Sequence, residues 1–157
     1  MRRLLPKVLC ILLVSLLLAG AVNLVRPNPV PWIQDWDGYV ETKARDAGIR
    51  VVSWSFVKKQ FEEQSALFVD ARSVEEFEAG HIPDAISLPF KRLDDAFEIL
   101  AELVESDKPL TVYCQNRDCD DGLLLAMELQ ALEQTNLFYF VDGFDAWEEA
   151  GCPTITP

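Results

Sequence analysis

The hydrophobic positions along the chain fall into three regimes. From Val8 to Val25 there is an uncharged run of 18 residues in which Asn23 is the most polar member. Such a run is close to the ~20 residues that cross a bilayer, and above the lower limit of roughly 17. From Arg26 to about Arg50 the apolar residues are scattered. Pro27, Pro29 and Pro31 predict a stiff, extended start there. Residues 39–47 predict a short polar helix ended by Gly48. Beyond residue 49, short apolar runs alternate with stretches of helical spacing.

In that third regime, Val51 to Trp54 predicts a strand, and Ser55 caps a short helix through Glu62. Ala66 to Asp70 is almost continuously apolar, the pattern of a strand buried on both faces. Ser73 with Glu76 three residues on is a capping box that opens the next helix. Strands are predicted at 86–88, 110–113 and 137–141, and helices at 94–105, 121–132 and 144–150. In the helix at 121–132, Leu123, Leu124, Leu125, Met127, Leu129 and Leu132 read as core. Strands and helices joined by short connections predict an α/β domain with a mainly parallel sheet. The expected organisation is 1–25 as signal anchor or signal peptide, 26–48 as linker and 49–157 as the domain.

Charge sharpens this division. The net charge is −12, from 26 acidic and 14 basic residues. The first thirty residues hold Arg2, Arg3, Lys7 and Arg26 and no acid, so everything after them is strongly acidic. A nucleic-acid partner is therefore not expected, nor an anionic membrane surface for the domain itself. The basic cluster before an apolar run instead implies a membrane partner through residues 8–25. By the positive-inside rule the domain then lies outside the cytoplasm, on the periplasmic side. An uncleaved anchor is favoured because the run continues past Ala21. The alternative is secretion after cleavage near Ala21, where Ala19-Gly20-Ala21 fits a small-x-small site. Trp32 and Trp36 suit either an aromatic belt or packing on the domain.

One histidine and four scattered cysteines do not make a zinc site, and no Gly-rich phosphate loop is present. No metal and no cofactor are expected. In open α/β sheets, ligands collect at the carboxyl ends of strands. Two strand ends carry reactive side chains. One is Asp70-Ala71-Arg72. The other runs from Cys114 through Gln115, Asn116, Arg117, Asp118 and Cys119 to Asp120. Cys114 would lie between a buried strand and a helix N-terminus, whose free N–H groups and dipole favour a thiolate. Position nominates it as a nucleophile; a buried structural cysteine is the plainer alternative.

These residues, taken with others, resemble a known family. Phe68-Val69-Asp70-Ala71-Arg72, Glu76-Phe77, Gly80 to Ala85, Val112-Tyr113-Cys114, Asp142 to Trp147 and Gly151-Cys152-Pro153 are similar to the motifs of the rhodanese domain. The resemblance covers about residues 49–157. It implies a five-stranded, mainly parallel sheet flanked by helices. It also implies an active-site cysteine, Cys114, on a loop running to Cys119. That cysteine takes sulfane sulfur from a donor as a persulfide surrounded by loop amides, and passes it to a thiophilic acceptor. The expected partners are thus a sulfur donor and a thiol acceptor, small molecule or protein.

The sequence departs from the family pattern within the loop. Many members carry glycine where Arg117 stands, so a different turn is expected here. Asp118, Asp120 and Asp121 surround the thiol with Arg117 to offset them, which disfavours small anionic donors; one of them is expected to cap the next helix. Asp84 and Asp142 also stand where glycine is frequent. A phosphatase would need Cys, five residues, then Arg; Asp120 occupies that position. His81 reads as holding a turn, with a general base as the alternative. Arg72 reads as a partner of Glu76, or as pointing at the anion. Cys10 and Cys152 read as packing residues. Cys119 either fills the first turn of the helix or acts as a resolving thiol that closes a disulfide with Cys114. Three functions follow: a sulfurtransferase on Cys114, a dithiol redox or sulfur-relay protein using both cysteines, and a non-catalytic binding module.

Overall fold

The structure is a computed structural model and describes residues 5–27, 29–30 and 38–156. Trp32, Trp36, Arg2 and Arg3 lie outside the described residues. Two compact units are present, residues 1–34 and 35–157. The first contains helix α1 (Leu5–Val25), of which Pro6–Val25 is long and apolar enough to cross a membrane. Most of its described side chains are exposed, although a helix that is apolar all round has the composition of a core helix or a membrane span.

The second unit runs α2 (Tyr39–Asp46), β1 (Arg50–Val52), α3 (Trp54–Glu63), β2 (Leu67–Asp70), α4 (Val74–Ala79), β3 (Ile86–Ser87), a 3₁₀ segment (Phe90–Asp95), α5 (Phe97–Glu105), β4 (Leu110–Tyr113), α6 (Asp121–Ala131), β5 (Leu137–Phe140) and α7 (Gly143–Glu149). Its five strands form one parallel sheet in the order β1-β5-β4-β2-β3. β4 is therefore central. All four of its residues are buried, which is why its sequence lacks a polar face. Side chains still alternate. Leu110 and Val112 join a core with α2, α5 and α6, whereas Tyr113 joins one with α3 and α7. Thr111 faces the second layer, where its hydroxyl donates to Gln60 Oε1 of α3 at 2.8 Å.

Several expectations are corrected. Strand β1 ends at Val52, and Ser53 rather than Ser55 stands at the N-cap of α3, so Trp54 is helical. The helix expected over 39–47 is present as α2, but its Val40 and Ala44 are buried in the core, so this part of the expected linker packs with the domain. The helix expected from 94 is preceded by 3₁₀ turns and begins at Phe97. Phe97 itself is 75% exposed. In α6, Leu123, Leu125 and Leu129 are core, but Leu124, Met127 and Leu132 are exposed: a helix on one side of a sheet buries only the stripe that faces it. The capping box is present, with Glu76 N donating to Ser73 Oγ and Ser73 N to Glu76 Oε2. Asp84 takes a left-handed φ of 61°, which explains why glycine suits that turn.

Candidate active site

Cys114 follows the last residue of central strand β4 and is 2% exposed. Its place is set by two glycines. Gly122, in the first turn of α6, lies so close that a Cβ there would stand 3.1 Å from Cys114 Cβ and 2.9 Å from Tyr139 Cε2. Gly143 opens α7 with a φ of +70°, and a Cβ there would meet the carbonyl oxygens of Cys114 and Gln115 at 2.6 Å. That approach lets Phe144 N donate to Cys114 O and Asp145 N to Gln115 O, both at 2.9 Å. The free amides of a helix start are thus satisfied by the loop.

Side chains add a second set of ties. Asp145 accepts from Gln115 Nε2 and, at 2.8 Å, from Asn116 Nδ2. Gln115 Oε1 in turn accepts from Arg72 Nη1 at 2.9 Å. Arg72 does not pair with Glu76 as expected. Its guanidinium grips Asp70, with Nε–Oδ1 at 3.0 Å and Nη2–Oδ2 at 2.7 Å, and donates to Gly80 O at 2.7 Å. Both side chains are almost fully buried, at 2% and 0% exposed. Asp70 ends β2 and points at its own i+2 neighbour, so the pair closes a turn rather than a helix face. Burial alone would lower the Arg72 pKa, but the hydrogen bonds and charge of Asp70 leave it raised. Burial, followed by the charge of Asp70, pushes the Tyr113 phenol far up, so it is neutral at all ordinary pH.

Cys119 is bonded to Cys114, with Cα atoms 6.1 Å apart. The pairing considered as one alternative for Cys119 is thus formed. Cys119 N donates to Asn116 O at 3.2 Å, and Asp118 N to Asn116 Oδ1 at 3.1 Å. Arg117 does not take a positive φ: among the described residues, only Gln64, Asp84 and Glu133 do so besides glycines. The loop therefore turns without the glycine that many relatives use. Contrary to expectation, Arg117 is not paired with the loop aspartates. It pairs with Asp142 at 2.6 Å and with Glu41 of α2 at 3.1 Å. Lys91 instead offsets Asp121, at 2.8 Å. Asp120 stands at the N-cap of α6 but its side chain makes no capping hydrogen bond, so the expected aspartate cap is absent. His81 is held in its turn by Nδ1 against Phe77 O at 2.8 Å and by stacking on the Phe77 ring.

Of the site residues expected from sequence, Cys114 to Arg117, Cys119, Asp70 and Arg72 thus form one connected assembly, with Asp118 on its exposed side. Sequence reasoning gave no role to Asp145, Gly122, Gly143 or Glu41. The signal for Asp145 and Gly143 was their place in the run Asp142 to Trp147. Glu41 carried no signal, because its contact with Arg117 spans 76 residues.

A family model for the rhodanese-like domain matches residues 53–150. The chain is 32% identical to an uncharacterized Synechocystis protein, slr1261, over 99 residues, 62% of this chain and 51% of that one. It thus matches about half the length of that relative. Thiosulfate sulfurtransferase GlpE of Pseudomonas savastanoi pv. phaseolicola is 34% identical over 86 residues, 54% of this chain and 74% of that one. Among solved structures, BH2092 of Bacillus halodurans superposes with a TM-score of 0.61 at 16% identity, over 74% of this chain and 83% of that one. That likeness is one of fold.

Proposed function

The chain belongs to the rhodanese-like family, and from that premise we propose that its domain is a sulfurtransferase in which Cys114 carries sulfane sulfur as a persulfide. The observation that carries the reading is the position of Cys114. It stands at the carboxyl end of the central strand, on a loop whose carbonyls and side chains are tied to α7 and Arg72. A fixed sulfur at a strand end meets the geometric need of group transfer, where donor and acceptor must approach one atom in turn. The transfer needs no base beyond what forms the thiolate: the Cys114 thiolate attacks the outer sulfur of the donor, the donor leaves as a thiolate or anion, and an acceptor thiolate then takes that sulfur. The name of the GlpE relative supports this chemistry. Asp118 and Asp120 make the loop surface acidic and are exposed, which favours an uncharged organic polysulfide or a protein persulfide over the thiosulfate dianion as donor. The arrangement does not suit a phosphate: the position that needs arginine is Asp120, and Arg117 is engaged with Asp142 and Glu41.

We propose further that α1 anchors the domain outside the cytoplasm. Its support is the 20-residue apolar helix and the basic cluster before it. Alkali extraction of membranes tests this. Retention in the membrane fraction is expected, and release with a mass lacking the first twenty or so residues would favour cleavage.

The test of function is peptide mapping of the full chain carrying Cys119→Ser, in which no loop thiol can displace the sulfur from Cys114, after reduction, removal of reductant and exposure to polysulfide. One added sulfur atom on the Cys114 peptide is expected. Cys10 and Cys152 are unpaired, so location and not total mass is the readout. Cys114→Ser should abolish transfer to an acceptor thiol. An active Cys114→Ser variant would remove Cys114 from the mechanism.

A further inference from the structure

The bond between Cys114 and Cys119 joins two groups held in unequal ways. Cys114 is buried, and its side of the loop is fixed without the disulfide. Phe144 N and Asp145 N hold its carbonyls, and Asp145 with Arg72 holds the Gln115 side chain. Cys119 is partly exposed. Its other ties are the turn to Asn116 O and a long contact of 3.4 Å from the Tyr139 hydroxyl to its carbonyl. A stationary sulfur faces one on a lightly tethered segment, within bonding reach of it.

We propose that Cys119 is a resolving thiol, and that the domain reduces sulfane sulfur to sulfide at the expense of an external dithiol. The inference rests on the persulfide reading of Cys114. A donor first transfers its outer sulfur to the Cys114 thiolate. The Cys119 thiolate then attacks the inner sulfur, that of Cys114, and the outer sulfur leaves with the bonding pair as hydrosulfide. The two cysteines are oxidised to the disulfide seen here, and the transferred sulfur takes up their two electrons. A dithiol of the thioredoxin type, or a small dithiol, then attacks Cys119, the more exposed sulfur. Cys114 leaves as a thiolate at the start of α6, where the helix N-terminus stabilises it. The second thiol of the reductant closes its own disulfide and frees Cys119. Each turnover thus consumes one sulfane sulfur and one dithiol and releases one sulfide.

The experiment uses the full chain, reduced, freed of reductant without air, and given an alkane thiosulfonate. That donor leaves as a sulfinate, so any sulfide comes from the protein. Wild type should release one sulfide per chain and end with the loop disulfide closed and no sulfur retained. Further turnover should require added dithiol. Cys119→Ser should retain one sulfur on Cys114 and release sulfide at least about tenfold more slowly until a thiol is added. Glutathione added to the oxidised wild type should be trapped on Cys119. Wild type that keeps the persulfide with Cys119 open to alkylation would overturn the proposal and leave Cys114 as a simple sulfur carrier. So would sulfide release by Cys119→Ser at the wild-type rate. Failure of both proteins to take up sulfur would overturn the carrier reading as well.

Discussion

The two halves of one short loop are held by different means. Residues 114–117 are fixed from outside: by backbone bonds to the start of α7, by Asp145, by the Asp70–Arg72 pair, and at Arg117 by Asp142 and Glu41. Residues 118–120 carry two exposed aspartates, and the strongest tie there is the Cys119 disulfide itself. The contrast teaches what a sulfur carrier with a resolving partner requires. The carrier must stay where the strand puts it, while the partner must be able to approach and withdraw. In the proposed cycle the non-covalent ties would persist, and the covalent one would be made and broken.

The largest effect should come from breaking the fixed half at its root. Arg72→Met leaves the buried Asp70 carboxylate without its guanidinium, with only the backbone N–H of residue 72 at 3.0 Å and the Tyr113 hydroxyl beside it, which should cost about 3–5 kcal/mol in urea unfolding. Removing both charges, as Asp70→Asn with Arg72→Met, should recover part of that loss. If Arg72→Met were neutral, the pair would not hold the loop. Gly122→Ala comes next. Its Cβ would overlap Tyr139 and press on Cys114, so a loss of about 1–3 kcal/mol is expected, with slower sulfur uptake as the carrier shifts.

On the lightly held half the same probes should move stability little. Asp118→Asn removes an exposed charge and should leave the unfolding midpoint unchanged. It should speed reaction with thiosulfate several-fold, since a full pKa unit corresponds to about 1.4 kcal/mol and solvent screens most of it. A neutral donor should be unaffected; an equal change with both donors would mean that Asp118 acts through loop shape.

The smallest effect separates Arg72 from the helix that follows it. The Ser73 hydroxyl donates to Glu76 at 2.7 Å and holds the Glu76 carboxyl below its usual range. A carboxylate with a lowered folded pKa stabilises the fold above its unfolded pKa, near 4.3, and loses that contribution as pH falls through the folded value. Glu76→Gln should therefore flatten the acid limb of the stability profile by less than about 1 kcal/mol, because the group is largely exposed. A larger effect would mean that Glu76 supports the Arg72 clamp.

How much of this was legible in sequence depends on distance along the chain. The strands, the capping box and the nomination of Cys114 were readable because each rests on neighbours within a few residues: a short apolar run, Ser73 with Glu76, a cysteine between a strand and a helix. The membrane-length run at the N-terminus was readable for the same reason. The partner of Arg72 was misread as Glu76 because both Asp70 and Glu76 lie within reach along the chain, and only burial at the end of β2 selects Asp70. Half of the leucine set of α6 was misassigned because its sequence is apolar on both sides, and only the sheet decides which side is covered.

By itself, then, the sequence determined the α/β alternation, the place of Cys114 between a strand and a helix, and the apolar segment before the domain. Each is a local property, fixed by backbone geometry and side-chain type over one or two turns. Only the tertiary structure decided that Cys119 meets Cys114, that Arg117 turns to Glu41 rather than to the loop aspartates, and that Gly143 lets α7 close on the loop carbonyls. Those contacts depend on where the strands β4 and β5 and helix α2 come to lie once the core is packed. Packing is a property of all the buried side chains together, and no single stretch of sequence carries it.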